Sequence, residues 1–479
     1  MPRYDNNLTV IGGGSAGLIA AYIAATVRAR VTLVERARMG GDCLNTGCVP
    51  SKTLIQSARV AHTLRTAGSY GMKPVTPEVD FAAVMARVKA AIAAIEPKDS
   101  VSRYQSMGVD CVAGEARILD RHHVAVGDQV ISTRSLIVAT GAAPLIPPIP
   151  GLAEAQPLTS DNLWDLDALP ARLLVLGAGP IGCELAQSFA RLGSQVTLMD
   201  MTDRILPRED PDVSEHLVRV FRREGIDVRL GCKAERCNPL AGGSGTLVAA
   251  SAGDRVEIPF DRVLVAVGRR PETGNLGLEA LGIEFGPSGT LAVDEHMRTA
   301  VPGIYACGDV VGPYQFTHMA AHQAWYAAVN ALFGRFWKFR VDYRVVPWAT
   351  YTDPEVARVG LSRAEAEERG IPFEVTTYSL DDLDRAVADG RTEGWVAVLT
   401  VPGKDQVLGA TIVGSQAGEL ITEFILAMTH GLGLKQLMST IHIYPTRSEA
   451  AKLTAGAWRR AHAPEALLSW VGRFLNLLR

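Results

Sequence analysis

The sequence lacks any uninterrupted apolar run approaching the roughly 18–20 residues of a membrane-spanning helix, so no transmembrane helix is predicted. It also lacks a charged leader followed by an apolar segment. Its start, MPRYDNNLTVIGGG, enters a strand almost at once. No secretory signal is therefore predicted, and a cytoplasmic, reducing setting is expected, where stable structural disulfides are rare. A dominant charge of either sign is missing. The 48 basic and 51 acidic residues leave a net charge of -3, so bulk electrostatics favours neither nucleic acid nor an anionic membrane. Cysteine is sparse, with seven residues scattered between Cys43 and Cys307. An odd, dispersed set is no disulfide framework.

Glycine, in contrast, is plentiful, with 46 residues, and much of it falls in short motifs rather than linkers. The 479 residues, 47% hydrophobic and 21% charged, read as an ordinary globular chain of about three domains.

LTVI (Leu8 to Ile11) is an apolar strand, followed by GGGSAG, in which Gly12, Gly14 and Gly17 fit G-x-G-x-x-G. A helical run comes next, then VTLVE, ending in Glu35, 23 residues past Gly12. The spacing has a physical basis. The first glycine permits a tight turn, the second lets backbone approach a pyrophosphate, and the third lets helix and strand pack closely. The helix N-terminus offers N–H groups to phosphate, and the acid can accept hydrogen bonds from a ribose diol. The pattern recurs in LLVLGAGPIGCELAQSFARLGSQVTLMD, with Gly177, Gly179 and Gly182, and with Asp200 at the same offset of 23. Two complete fingerprints imply two dinucleotide sites. Each is echoed downstream by a strand closing on a glycine turn: LIVATGAAP, with Thr140 and Gly141, and VLVAVGRRP, with Gly268. GIYACGDV follows, ending its strand at Gly308 and Asp309. From about Pro347 the texture changes to amphipathic strands and helices.

Between the first fingerprint and its echo stands GGDCLNTGCVPSKTL, beginning at Gly40 and Gly41, with four residues between Cys43 and Cys48. The two thiols could be metal ligands, a structural disulfide, a redox pair or unrelated small residues. Zinc would want two further Cys or His ligands nearby, and none stands there. The pair opens a helical run beside Lys52. A helix N-terminus and a lysine both favour thiolate, and one intervening turn of helix would bring the sulfurs within disulfide reach. Cys232 and Cys237 have the same spacing but none of this context, and read as incidental. Cys111, Cys183 and Cys307 read as small buried residues.

GGGSAG, GGDCLNTGCVPSKTL, ATGAAP, GAGPIGCE, AVGRRP, YACGD and HIYPTRSE occur in one order along nearly the whole chain. Together they resemble the class I pyridine nucleotide-disulfide oxidoreductases, which include dihydrolipoamide dehydrogenase, glutathione reductase and mercuric reductase. The resemblance implies an α/β fold of two doubly wound, Rossmann-like dinucleotide-binding domains plus an α+β C-terminal dimerisation domain. It implies boundaries at 1–148 and 149–275 for the FAD and NAD(P) domains, 276–346 for a central domain completing the FAD domain, and 347–479 for dimerisation. FAD would occupy the first fingerprint and the nicotinamide nucleotide the second. Lys52 would lie near the flavin and pair with Glu184, and Asp309 would contact the ribityl–phosphate region. Cys48 would be the thiolate next to the flavin and Cys43 the thiol that attacks substrate. NADH is expected over NADPH, because Asp200 suits a ribose 2′-OH and repels a 2′-phosphate. Glutathione reductases carry arginines for that phosphate, where this chain has Met201 and Pro207.

The chain departs from the family at TIHIYPTRSE. Disulfide reductases place a His before the Pro, with a Glu five residues after the His, both supplied across a homodimer interface. Counting back from Glu449, that position is Tyr444, as in mercuric reductases, and His442 lies two residues earlier. A tyrosine is a poor base near neutral pH but a good proton donor. His442 could take over as base, since alternate residues of an extended segment share a face, with Glu449 to orient it; without such a base, reduction of an acceptor is the expected direction, with weak oxidation of free dihydrolipoamide. Mercuric reductases end in a vicinal cysteine pair; this chain ends VGRFLNLLR. The expected activity is electron transfer from NADH to a small-molecule or protein-bound disulfide or another acceptor. The alternatives are a dehydrogenase subunit serving a protein-bound lipoyl group, a metal-ion reductase without the terminal cysteines, and a quinone reductase with idle thiols. The last stretch, ALLSWVGRFLNLLR, is an amphipathic helix whose apolar face is expected to pack on its own dimer, with a partner or membrane surface as the alternative.

Overall fold

The computed structural model describes residues 4–251, 253–286 and 288–479. The chain forms two compact units. One comprises the residues through Arg65 with Val75–Asp203 and Phe221–Asp342; the other comprises Thr66–Pro74, Arg204–Val220 and Tyr343–Arg479.

The first unit is built on two parallel sheets. In the larger, Val109–Ala113, Val31–Glu35, Asn6–Ile11, Gln129–Val138 and Ile304–Ala306 lie side by side and parallel. Leu8, Val10 and Ile11 are each at most 4% exposed. Parallel strands are covered on both faces, so they read as continuous apolar runs rather than alternating ones. Burying each such side chain contributes about 1.5–3 kcal/mol. The chain winds outward from Asn6–Ile11 in one direction and returns on its other side with Gln129–Val138. The gap between these two strands is the topological switch point, where open α/β sheets bind ligands at strand carboxyl ends. Three of the motifs converge there, since Gly12, Thr140 and Gly308 each follow closely on the end of one of these strands.

The smaller sheet repeats the logic in the order Asp227–Arg229, Gln195–Met199, Arg172–Leu176, Arg262–Val265, again parallel. Beside it, Cys232–Pro239, Gly245–Ser251 and Asp254–Phe260 form an antiparallel sheet. Residues five apart on a regular strand face opposite sides. A bulge between Ala234 and Arg236 shifts the register, turning Cys232 and Cys237 into the same apolar cluster. Their burial is structural. Cys183 and Cys307 are fully buried, whereas Cys111, expected to be buried, is only partly so.

The second unit holds a five-stranded antiparallel sheet in the order Pro347–Thr350, Glu355–Gly360, Val407–Gly414, Trp395–Thr400, Glu374–Ser379. Its core gathers Val359, Val398, Ile412, Phe424 and Trp458. Arg358, next to Val359 in the strand, is wholly buried, held by Glu365 at 2.9 Å and Glu209 at 3.3 Å and lying over the Trp348 ring. The C-terminal helix, Glu465–Leu477, has no buried residue. Among the described residues, no helix is long and apolar enough to cross a membrane.

Candidate active site

Gly12 has φ +107, and a Cβ there would collide with the Ala139 carbonyl at the end of the neighbouring strand. A Cβ on Gly17 would run into the Gly12 carbonyl, so strand and helix approach each other only as two glycines allow. Gly177 and Gly182 stand in the same relation in the second sheet. The helices that follow start at Gly14 and Gly179 with no side chain capping them, and a Cβ on Gly179 would meet nothing within 4 Å. Uncapped N–H groups at a helix start, with open space before them, fit a pyrophosphate.

The two acids act alike. Glu35 accepts from the backbone N–H of Gly13 at 2.5 Å and of Ala37 at 2.7 Å. Asp200 accepts from Ala178 N–H at 2.6 Å and from both the N–H and hydroxyl of Thr202 at 2.8 Å. Each carboxylate ties its strand end to the glycine turn. A carboxylate has about four acceptor sites, so capacity remains for ribose hydroxyls. The residues thus fit two dinucleotides.

Cys43 and Cys48 are not separated by one continuous helical turn, as the sequence suggests. Cys43 lies in a short helix, Gly41–Asn45, and Cys48 opens a second, Cys48–Arg65. The break at Thr46–Gly47 is closed by both N–H groups donating to the Asp42 carbonyl, at 2.9 and 2.6 Å. Both thiols are free. They are chemically unequal. The Cys48 thiol is lowered to about 6, chiefly because Cys43 hydrogen-bonds to it, with help from Thr317 and the charge of Lys52 against the opposing effect of burial. The Cys43 thiol is pushed well above the ordinary range by that same bond and by burial. The proton therefore stays on Cys43, which donates to a Cys48 thiolate.

Lys52 Nζ donates to Glu184 Oε2 at 2.8 Å, and only 5% of the Glu184 side chain is exposed. The pair joins the cysteine helix to the helix of the second fingerprint, Pro180–Leu192. Burial raises the Asp309 carboxyl to about 6, against the lowering effect of Arg269. Arg269 Nη2 lies 3.2 Å from Asp42 and its Nε 3.9 Å from Asp309. Two participants escaped the sequence reading. Thr317 Oγ1 lies 3.5 Å from Cys48 Sγ but 269 residues along the chain, and no motif marks it. Arg269 was visible inside VGRRP, although only the glycine of that motif was singled out.

Tyr444, His442 and Glu449 belong to the second unit. Tyr444 is 68% exposed, and its hydroxyl donates to Asp384 Oδ2 at 2.8 Å. That bond raises the tyrosine pKa. His442 does not share this exposure. Only 4% of its side chain is accessible, and Nε2 lies 2.9 Å from Glu423. Its Nδ1 lies 3.1 Å from the Thr440 carbonyl. Glu449 accepts from Thr446 N–H at 3.1 Å. Two expectations are thereby corrected: alternation does not put His442 and Tyr444 on one surface, and the carboxylate that orients His442 is Glu423 rather than Glu449. The segment is irregular rather than a strand, so the period of two does not apply.

Residues 6–326 match the family described as pyridine nucleotide-disulphide oxidoreductase, and residues 346–455 match its dimerisation domain. A mercuric reductase of Acidithiobacillus ferrooxidans is 36% identical over 465 residues, spanning 95% of this chain and 83% of that protein. A mercuric reductase of Streptomyces lividans is 37% identical, spanning 94% and 95%. A dihydrolipoyl dehydrogenase of Chlamydia muridarum is 34% identical, spanning 92% and 94%. Among solved structures, LpdA of Mycobacterium tuberculosis superposes with a TM-score of 0.85 at 30% identity, covering 94% of this chain and 99% of that one. The HOCl-induced flavoprotein disulfide reductase RclA of Escherichia coli, in its Cu(II) complex, gives 0.84 at 28% identity, covering 95% and 99%. With its paired fingerprints, its two thiols and a dimerisation domain that supports a homodimer, the chain belongs to the pyridine nucleotide-disulphide oxidoreductase family and is a flavin-dependent oxidoreductase.

Proposed function

We propose that this enzyme takes electrons from NADH and delivers them, through FAD and the Cys43–Cys48 pair, to a disulfide or another oxidised acceptor. One observation carries the reading: Cys43 hydrogen-bonds to Cys48 at the start of a helix, with Thr317 at 3.5 Å from Cys48 and Lys52 one turn on. Structural cysteines have no need of such company, whereas a dithiol that must hold a thiolate and still deliver a proton does.

In this reading Gly12, Gly14, Gly17, Glu35, Gly41, Lys52, Thr140, Gly141 and Asp309 hold FAD. Gly177, Gly179, Gly182, Asp200 and Gly268 hold the nicotinamide nucleotide. Bound there, FAD supplies the means of exchanging two electrons between a hydride donor and a thiol pair. The chain's own residues do the rest. Lys52, anchored by Glu184, biases Cys48 toward thiolate. Cys43 gives up its proton and attacks a sulfur of the acceptor disulfide, releasing one thiolate and forming a mixed disulfide. Cys48 then attacks Cys43, releasing the second thiolate and closing the Cys43–Cys48 disulfide. The acceptor gains two electrons and the pair loses two. The acceptor's two thiolates need two protons. Cys43 supplies one, and in this reading Tyr444 of the second copy in a homodimer, with Glu449 supporting its segment, donates the other.

A metal-ion acceptor is the second reading, favoured by a tyrosine at 444 as in mercuric reductases. The test is anaerobic reduction with NADH, followed by reoxidation with a panel of disulfides, lipoamide, Hg(II), Cu(II) and quinones. Reduction should produce a long-wavelength thiolate-to-flavin band that Cys48→Ser abolishes. Ordinary flavin bleaching in the wild type, with quinones alone as reoxidants, would overturn the proposal.

A further inference from the structure

The second unit holds a cleft of about 680 Å³ that the redox reading does not use, with Arg385, Arg391 and Arg447 in its wall. A volume of this order suits a small molecule. The lining is polar. Ser415 and Thr446 contribute hydroxyls, and Asp389 is the one acid among the described lining residues. The lining thus holds three guanidiniums and one carboxylate. Arg385 Nε lies 2.9 and 3.0 Å from the two Asp389 oxygens, and Arg447 Nη2 lies 2.8 Å from Oδ2. Arg391 is paired with Asp353, outside the lining, at 3.2 Å. Even with that acid counted, the three arginines outnumber by one the acids they are paired with.

The donor count points the same way. A guanidinium has five N–H groups, whereas a carboxylate accepts about four hydrogen bonds. Arg385 and Arg447 together outnumber what Asp389 can take, even after Arg385 Nη1 reaches the Pro445 carbonyl at 3.4 Å. Only 11% of the Arg447 side chain is exposed, so its charge is less screened than a surface one. Planar N–H forks and neighbouring hydroxyls are the groups that recognise carboxylates and phosphates.

We infer that this cleft is a binding site for a small molecule bearing an oxyanion, carboxylate or phosphate, held by Arg385, Arg391 and Arg447. The site lies entirely within the second unit and its assignment is independent of the electron acceptor. Its wall includes Thr446 and Arg447, which follow Tyr444 directly along the chain, so an occupant would bear on the segment that carries the tyrosine.

The test is isothermal titration calorimetry on the full-length flavoprotein at fixed low ionic strength, with inorganic phosphate, succinate and uncharged succinamide as probes. Saturable binding of phosphate or succinate, with none of succinamide, is expected, and whichever anion binds identifies the source of the oxyanion. Arg447→Gln should weaken binding roughly tenfold or more. If that variant does not fold, Arg391→Gln provides the same test. Asp389→Asn, which removes the competing carboxylate, should tighten binding, a sign that mere structural ion pairing would not produce. Absence of binding by both anions, equal binding of succinamide, unchanged affinity in a folded Arg→Gln variant, or weaker binding in a folded Asp389→Asn variant would each overturn the site.

Discussion

The Tyr444 hydroxyl donates to Asp384 Oδ2 at 2.8 Å across 60 residues of sequence. A carboxylate that accepts a phenol's hydrogen bond stabilises the protonated form, so the Tyr444 pKa is raised above its ordinary value. The residue is thereby kept a proton donor and made a still poorer base.

The consequence for pH is directional. With Tyr444 as the proton donor, acceptor reduction is lost as pH rises through the tyrosine's pKa. Asp384→Asn removes the raising interaction, so the alkaline limb of the kcat/KM profile should move to lower pH, while Tyr444→Phe should abolish that limb. A limb that stays in place in Asp384→Asn would remove Tyr444 from the reaction.

The direction of catalysis follows from the same residue. Oxidising a dithiol needs a base, and general acid–base groups contribute about 10²–10⁴-fold. Free dihydrolipoamide should be oxidised slowly, and Tyr444→His should accelerate that oxidation within this range. His442→Ala should leave it unchanged, because both of its ring nitrogens are already engaged, by Glu423 and the Thr440 carbonyl. Steady-state kinetics in both directions checks this. A fast wild type disabled by His442→Ala would sink the argument.

The thiolate should appear at mildly acidic pH. In the reduced protein, ultraviolet thiolate absorbance should rise with a midpoint near the value of about 6 assigned to Cys48. Cys43→Ala should raise this midpoint more than Lys52→Met does, because the Cys43 hydrogen bond is the largest lowering influence and Lys52 a smaller one. The reverse order of shifts would mean that charge, not the thiol hydrogen bond, holds the thiolate.

Lys52→Met should also lower stability. Glu184 is 5% exposed, and the substitution leaves its carboxylate without the lysine. Removing one partner of a largely buried charge costs about 1–3 kcal/mol, discounted here because Lys52 itself is partly solvated. Thermal melting of Lys52→Met against the Lys52→Met, Glu184→Gln double variant measures it; the second change should recover part of the loss.

Asp200 should set coenzyme choice. Its carboxylate is fixed by Ala178 and Thr202, so it cannot swing away from a 2′-phosphate without breaking those bonds. Specificity constants should favour NADH over NADPH by at least about tenfold, or 1.4 kcal/mol, and Asp200→Asn should narrow the gap. Equal constants in the wild type would contradict the assignment.

The sequence by itself determined whatever depends on neighbours in the chain. A turn that only glycine can make, the offset from it to the acid at the next strand's end, and a cysteine opening a helix are all set within a few dozen residues. The glycine fingerprints, Glu35, Asp200, Cys43, Cys48 and Lys52 were therefore legible, and so was the α/β architecture with its separate C-terminal sheet. Tertiary structure alone decided the partners. Thr317 reaches Cys48 from 269 residues away, Asp384 rather than a nearer residue accepts the Tyr444 hydrogen bond, and Glu423 pairs with His442. One bulge turns Cys232 and Cys237 to the same face of their strand. Three arginines separated along the chain share one cleft. Local spacing constrains backbone conformation, but which side chains meet depends on strand order, register and helix packing. Those are settled by burial of the whole core, and no short window of sequence contains them.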